Sequence, residues 1–171
     1  MTRVWFRNAD NRYPFLWESD DQPAARWHAA GEGPTQYLAD TPDGAWAEFL
    51  RHEEITDPAD LRGIERALWA VEVDEDAERI AAVKDASRSH PVCQAEARAL
   101  RDGGATALDA PSAALAAGAA RGQLVSSGLV EAPNREGRVL VLFGPRPEIR
   151  GWRCVAAGTV SERILRLVRR L

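Results

Sequence analysis

Residues 35–52 read T-Q-Y-L-A-D-T-P-D-G-A-W-A-E-F-L-R-H, and they hold a strand and a helix back to back. Thr35–Ala39 reads as a strand. Thr41-Pro42-Asp43 has the grammar of a helix start: a threonine to cap free amides, a proline whose missing N–H does no harm, and an acid for the positive helix end. The helix should begin within about two residues of Thr41 and run to about His52, with Ala45, Trp46, Phe49 and Leu50 facing the core and Glu48 within it. Upstream, T-R-V-W-F-R at 2–7 favours a strand through its aromatic and β-branched residues, and residues 8–23 read as a loop. Residues 25–28 are expected as a short strand before a turn at Gly31-Glu32-Gly33-Pro34. Downstream, Arg66–Val73 is a strand, and residues 76–87 and Pro91–Asp102 are helices, the second stopped by Gly103-Gly104. Residues 113–134 are alanine-rich and ambiguous. Arg138–Phe143, R-V-L-V-L-F, is an almost unbroken apolar run and should be a central, buried strand. A last strand at 152–156 and a closing helix at 161–170 complete the pattern. Elements of both kinds are interspersed without a βαβ rhythm, which favours a mixed α+β domain.

The chain has 171 residues, 45% of them hydrophobic and 28% charged, so one globular domain spanning residues 1–171 is expected and wholesale disorder is not. A chain of this length buries about two-thirds of its unfolded surface and needs no staple. No stretch approaches a membrane span of about 18 apolar residues, and the start of the chain lacks an apolar leader core, so a soluble cytoplasmic protein is the default. The net charge of −4 argues against a dedicated nucleic-acid binder, although residues 121–171 hold ten arginines against four glutamates. Lys84 is the only lysine.

Several chemistries drop out. There is no phosphate loop, no dinucleotide glycine fingerprint and no nucleophile elbow. His28, His52 and His90 lack metal-ligand spacing, and Cys93 and Cys154 are too few for a thiolate zinc site. Cys93 reads as a buried structural thiol. Most of the six tryptophans, Trp69 above all, belong in or against the core.

What remains is a constellation: Arg7 after a hydrophobic strand, then Arg26, Tyr37 and Glu48 at intervals of eleven, and later Ala110-Pro111-Ser112. The pattern R-W-x-x-x-G…Y-L-A-x-T-P-x-x-A-x-x-E followed by A-P-S-A resembles the RES domain, a family named for its Arg, Glu and Ser. The tail V-L-F-G-P-R-P-x-x-x-G-W is similar to that of one branch of the family. The chain departs from the pattern at His28, where many members have asparagine, and in the alanine-rich stretch after Ser112.

The resemblance implies a compact α+β domain like that of ADP-ribosyltransferases, with a mixed, mostly antiparallel sheet core flanked by helices. It implies an enzyme that cleaves NAD at the nicotinamide–ribose bond, as glycohydrolase, phosphorylase or ADP-ribosyltransferase. It also implies a toxin role beside a helix-turn-helix antitoxin. NAD would be the substrate, with no metal, and neither direct nucleic-acid binding nor a membrane is expected. The matching residues are Glu48 and Ser112 as catalytic, and Arg7, Arg26 and Tyr37 as NAD-binding. The chemistry is consistent: guanidinium forks suit a pyrophosphate. A carboxylate suits the positive charge that develops at the anomeric carbon. A tyrosine offers a flat face for nicotinamide and a hydroxyl for a ribose or phosphate, and a serine can hold the glutamate in place. The alternative is a catalytically silent NAD- or nucleotide-binding regulator on the same fold.

Overall fold

A computed structural model describes residues 2–79 and 90–169. Its core is a seven-stranded sheet in the order β4-β5-β8-β2-β1-β3-β9. In chain order the strands are β1 (Arg3–Ala9), β2 (Thr35–Ala39), β3 (Arg66–Val73), β4 (Glu78–Arg79), β5 (Ala107–Pro111), β8 (Arg138–Phe143) and β9 (Arg150–Gly158). A separate hairpin joins β6 (Gln123–Val125) to β7 (Leu129–Glu131). Among the described residues the α-helices are α1 (Pro42–His52), α2 (Pro91–Asp102) and α3 (Glu162–Leu165), with a 3-10 turn at Pro58–Leu61. Every ladder of the large sheet is antiparallel except β4–β5, so the fold is α+β with a mixed, mostly antiparallel sheet.

β8 lies between β5 and β2, and its run V-L-V-L-F is buried on both faces, with Leu140 2% and Leu142 0% exposed. One face packs Leu140 and Leu142 with Trp5, Leu38 and Val71, and Leu16 closes over them. The other packs Val139, Val141 and Phe143 against Trp27 and against Cys93 and Ala97 of α2. α1 lies on this second face, where Ala45 meets Ala39 and Leu68. At Gly44 a Cβ would stand 2.9 Å from Thr41 Oγ1 and 3.2 Å from Ala39 Cβ, so the first turn can approach β2 only as glycine.

α1 starts where the sequence predicts. Thr41 Oγ1 accepts the N–H of Gly44 at 2.9 Å, and Pro42 occupies the first turn. Thr41→Ala should therefore cost about 1 kcal/mol of stability, measurable as a shifted urea midpoint with an unchanged m-value. β2, β3, α2 and β8 also have the expected bounds.

Three expectations are corrected. Residues 25–28 form a tight turn, closed by Ala25 N–H donating to His28 O at 2.9 Å, rather than a strand. The helix expected from residue 76 is absent at its start: Glu78–Arg79 is a strand hydrogen-bonded to β5, and residues 80–87 lie outside the described residues. The closing helix stops at Leu165, because the backbone that follows pairs with 114–116, with Ala116 N–H on Leu167 O at 2.7 Å and Arg169 N–H on Ala114 O at 2.6 Å. The tryptophans fall as expected: Trp5, Trp27 and Trp46 are buried and Trp69 packs half-buried against the core, stacked on Phe15 at 4.9 Å, while Trp17 and Trp152 are exposed.

Candidate functional site

Ser112 follows β5 directly, and its backbone N–H donates to Gly137 O at 2.8 Å. A Cβ at Gly137 would stand 2.8 Å from Leu115 Cδ2, so the chain passes this corner only as glycine. The Ser112 hydroxyl donates to Glu48 Oε1 at 2.8 Å. It accepts the N–H groups of Ala114 at 3.2 Å and Leu115 at 3.0 Å. One hydrogen and two lone pairs are thus all engaged. Ser112 is a clamp on the carboxylate, and its oxygen is not free to attack a substrate.

Glu48 projects from α1 on the face that carries this clamp. Burial pushes its carboxyl above the ordinary range, while Ser112, Arg26, Arg51 and the Ala114 N–H act in the opposite direction. Arg51 stands three residues along α1 and donates through Nη1 to Arg169 O at 2.9 Å.

Tyr37 leaves β2 on the same side of the sheet as Ala39 and packs against the cluster of Trp27, Cys93 and Val141. Its hydroxyl meets Trp27 N–H at 3.1 Å and His28 Nδ1 at 2.9 Å. Burial raises the phenol's pKa, and Glu48 raises it further, while Arg26 lowers it. Glu48 and Arg26 therefore both lie within electrostatic reach of the Tyr37 phenol. Arg26 sits one residue before Trp27, whose N–H holds the tyrosine oxygen.

Arg7 is placed differently. In strand alternation it shares its side of β1 with Trp5, whereas Phe6 faces Ala39. β1 and β2 pair only at Phe6 and Ala39, and beyond that pair Arg7 Nη1 donates to Tyr37 O at 2.8 Å across the seam. Burial, helped by the charge of Arg66, lowers the guanidinium to about 10, so it remains charged at neutral pH. Its Nε is buried without a hydrogen-bond partner.

The structure thus joins Glu48 and Ser112 directly, sets Arg26 and Tyr37 within electrostatic reach of that pair, and holds Arg7 behind Tyr37. A surface groove of about 580 Å³ lies elsewhere, along residues 72–75 and 145–150, and contains none of the five. Arg146 spans that groove with a bidentate pair to Glu75 at 2.5 and 2.9 Å. Among the described residues no cluster of His, Cys, Asp or Glu could hold a metal, and no helix is long and apolar enough to cross a membrane.

A family model for the RES domain matches residues 3–146. The chain belongs to the RES domain family. The matched span runs from β1 past the end of β8 and includes all five candidate residues, while β9 and α3 lie beyond it. No curated protein matches the chain.

Two residues that contact the candidate site of this RES domain or add charge to it were given no role by the sequence reading. Arg51 was signalled by its i+3 spacing from Glu48 on a predicted helix. His28 was marked only as the departure from the family's asparagine, and its role was hidden because its partners Tyr37 and Pro23 are brought to it by a turn.

The turn is itself anchored. Glu32 accepts the Ala29 N–H at 2.7 Å and pairs with Arg98 at 2.7 Å and Arg101 at 2.8 Å, both on α2. Burial alone would raise its carboxyl, but these three partners prevail and hold it at about 2. Glu32→Gln should cost about 1–2 kcal/mol at pH 7 as these charged hydrogen bonds weaken. Since the folded value lies below the unfolded one, wild type keeps the advantage above about pH 4.5 and loses it as pH falls toward 2. Urea melts of both proteins across that range check the convergence.

Proposed function

We propose that this RES domain cleaves NAD at the nicotinamide–ribose bond. The observation that carries the proposal is the part-buried Glu48 carboxylate, held by Ser112 on one oxygen and attended by Arg26 and Arg51. Nicotinamide leaves with the electron pair of the C–N bond, which neutralises its ring and leaves positive charge on the ribose. Glu48 faces that charge and stabilises it. Ser112 keeps the carboxylate in one orientation, so no reorganisation is needed as the charge develops. Arg26 supplies a cationic donor for the pyrophosphate, and Arg7, buried behind Tyr37, adds its charge at the β1–β2 seam. The ADP-ribosyl group then passes to water, phosphate or a protein side chain. Membership of the family supports a toxin role with a helix-turn-helix protein as the silencing partner.

Incubation of the protein with NAD, following free nicotinamide, tests the activity. Release in stoichiometric excess over protein is expected. NAD bound without release would make the chain a silent nucleotide-binding regulator.

A further inference from the structure

His28 follows the Arg26-Trp27 pair, is 2% exposed, and uses both ring nitrogens. Nε2 lies 3.0 Å from the carbonyl oxygen of Pro23, which can only accept, so Nε2 carries a hydrogen. Burial favours the neutral ring, and nearby Arg101 adds to this, against the Pro23 carbonyl and Glu32. In a neutral imidazole protonated at Nε2, Nδ1 is an acceptor. The group 2.9 Å away is the Tyr37 hydroxyl, which must then donate its only hydrogen to Nδ1. Trp27 N–H takes one lone pair of the same oxygen at 3.1 Å. One lone pair is left, and no hydrogen.

The turn that sets this geometry is rigidly held. His28 O accepts Ala25 N–H at 2.9 Å, and Gln94 Nε2 of α2 donates to Ala25 O at 2.9 Å and to His28 O at 3.2 Å. The backbone that carries the ring is therefore fixed to α2, and the ring itself is held by the Pro23 carbonyl and the Tyr37 hydroxyl.

We propose that His28 is a positioning residue that fixes the polarity of the Tyr37 hydroxyl, so that the site meets its nucleotide with an acceptor there and selects a ribose hydroxyl or carboxamide N–H over a phosphate oxygen. A phosphate oxygen carries no hydrogen at neutral pH and would face the tyrosine lone pair to lone pair. A hydroxyl or amide donates into it. This inference rests on the NAD reading for its ligand, but its structural half stands without it.

The test has two arms. Nitrogen-15 spectra of the histidine rings of the intact protein at pH 7, with the His28 signals assigned by their loss in His28→Asn, should show a pyridine-type Nδ1 and a pyrrole-type Nε2. A pyrrole-type Nδ1 would overturn the proposal whatever the protein binds. In calorimetry, Tyr37→Phe and His28→Phe should each weaken NAD binding by about three- to tenfold, the worth of one neutral hydrogen bond. The double variant should be no worse than either, because both remove the same oriented contact. His28→Asn, whose Oδ1 stands near the Nδ1 position, should recover most of what His28→Phe loses. Binding of inorganic pyrophosphate should not change in Tyr37→Phe, and an equal loss for pyrophosphate and NAD would overturn the selectivity. A wild-type chain that binds no NAD would overturn the NAD reading and the ligand half with it, leaving the tautomer spectrum to judge His28 separately.

Discussion

Glu48→Gln should lower nicotinamide release by about a hundredfold or more while leaving NAD affinity nearly intact. Glutamine keeps the shape and can still accept the Ser112 hydroxyl, so only the anion is lost. The phosphate contacts are assigned to other residues, so binding should survive. Two pH signatures accompany the loss. Burial holds the Glu48 carboxyl above its ordinary value, so wild-type cleavage should fall with acid at a pH above the usual carboxylate range. The folded state also holds this proton more tightly than the unfolded one. Stability from Glu48 is therefore present at low pH and lost as pH rises past the unfolded value toward the folded one. Glu48→Gln, free of that charge, should gain in Tm relative to wild type as pH rises past the unfolded carboxyl's value, while cleavage is lost. Unchanged turnover in this variant would remove Glu48 from the chemistry. Loss of binding with no separate effect on rate would reduce it to shaping the pocket.

Arg7→Ala, which removes only a buried charge behind Tyr37, should weaken NAD binding less than Arg26→Ala, which removes charged hydrogen bonds to a phosphate and costs about 1.5–3 kcal/mol. By calorimetry this is a loss of about ten- to 150-fold in Kd. The two variants should differ in a second way. Arg26 is among the charges that restrain the Glu48 carboxyl, and Arg7 is not. Arg26→Ala should therefore move the acid limb of the pH–rate profile upward, and Arg7→Ala should leave it in place. Arg7→Ala also frees the Tyr37 carbonyl at the β1–β2 seam, so its Tm is measured alongside. Unchanged affinity in both variants would take the pyrophosphate away from these arginines.

Where local physics decides, the sequence is legible in this chain. Thr41 and Pro42 set the start of α1, and Gly103 marks the end of α2. The apolar run of β8 announces burial on both faces, and the strand lies third of seven in the sheet. Glu48 and Ser112 could be named from a motif, because the family pattern preserves the chemistry at its spacing. Local signals failed where distant backbone competed for the same hydrogen bonds. The expected helix at 161–170 stops at Leu165 because Ala114 and Ala116 capture the backbone that would have continued it. Residues 25–28 close a turn under Gln94 instead of extending, since α2 supplies partners to their carbonyls.

The sequence by itself determined the secondary elements with strong caps or continuous apolar runs, the α+β class, and the residue types of the site. Only the tertiary structure decided what those residues do to one another. It closed Ser112 onto Glu48 across 64 residues, placed Arg7 at the seam behind Tyr37, and aimed the Tyr37 hydroxyl at His28. The physical reason is that caps and hydrophobic periodicity are written within a few neighbouring residues. The charge of a carboxyl and the direction of a hydroxyl's hydrogen are set by partners that meet only when the sheet has formed.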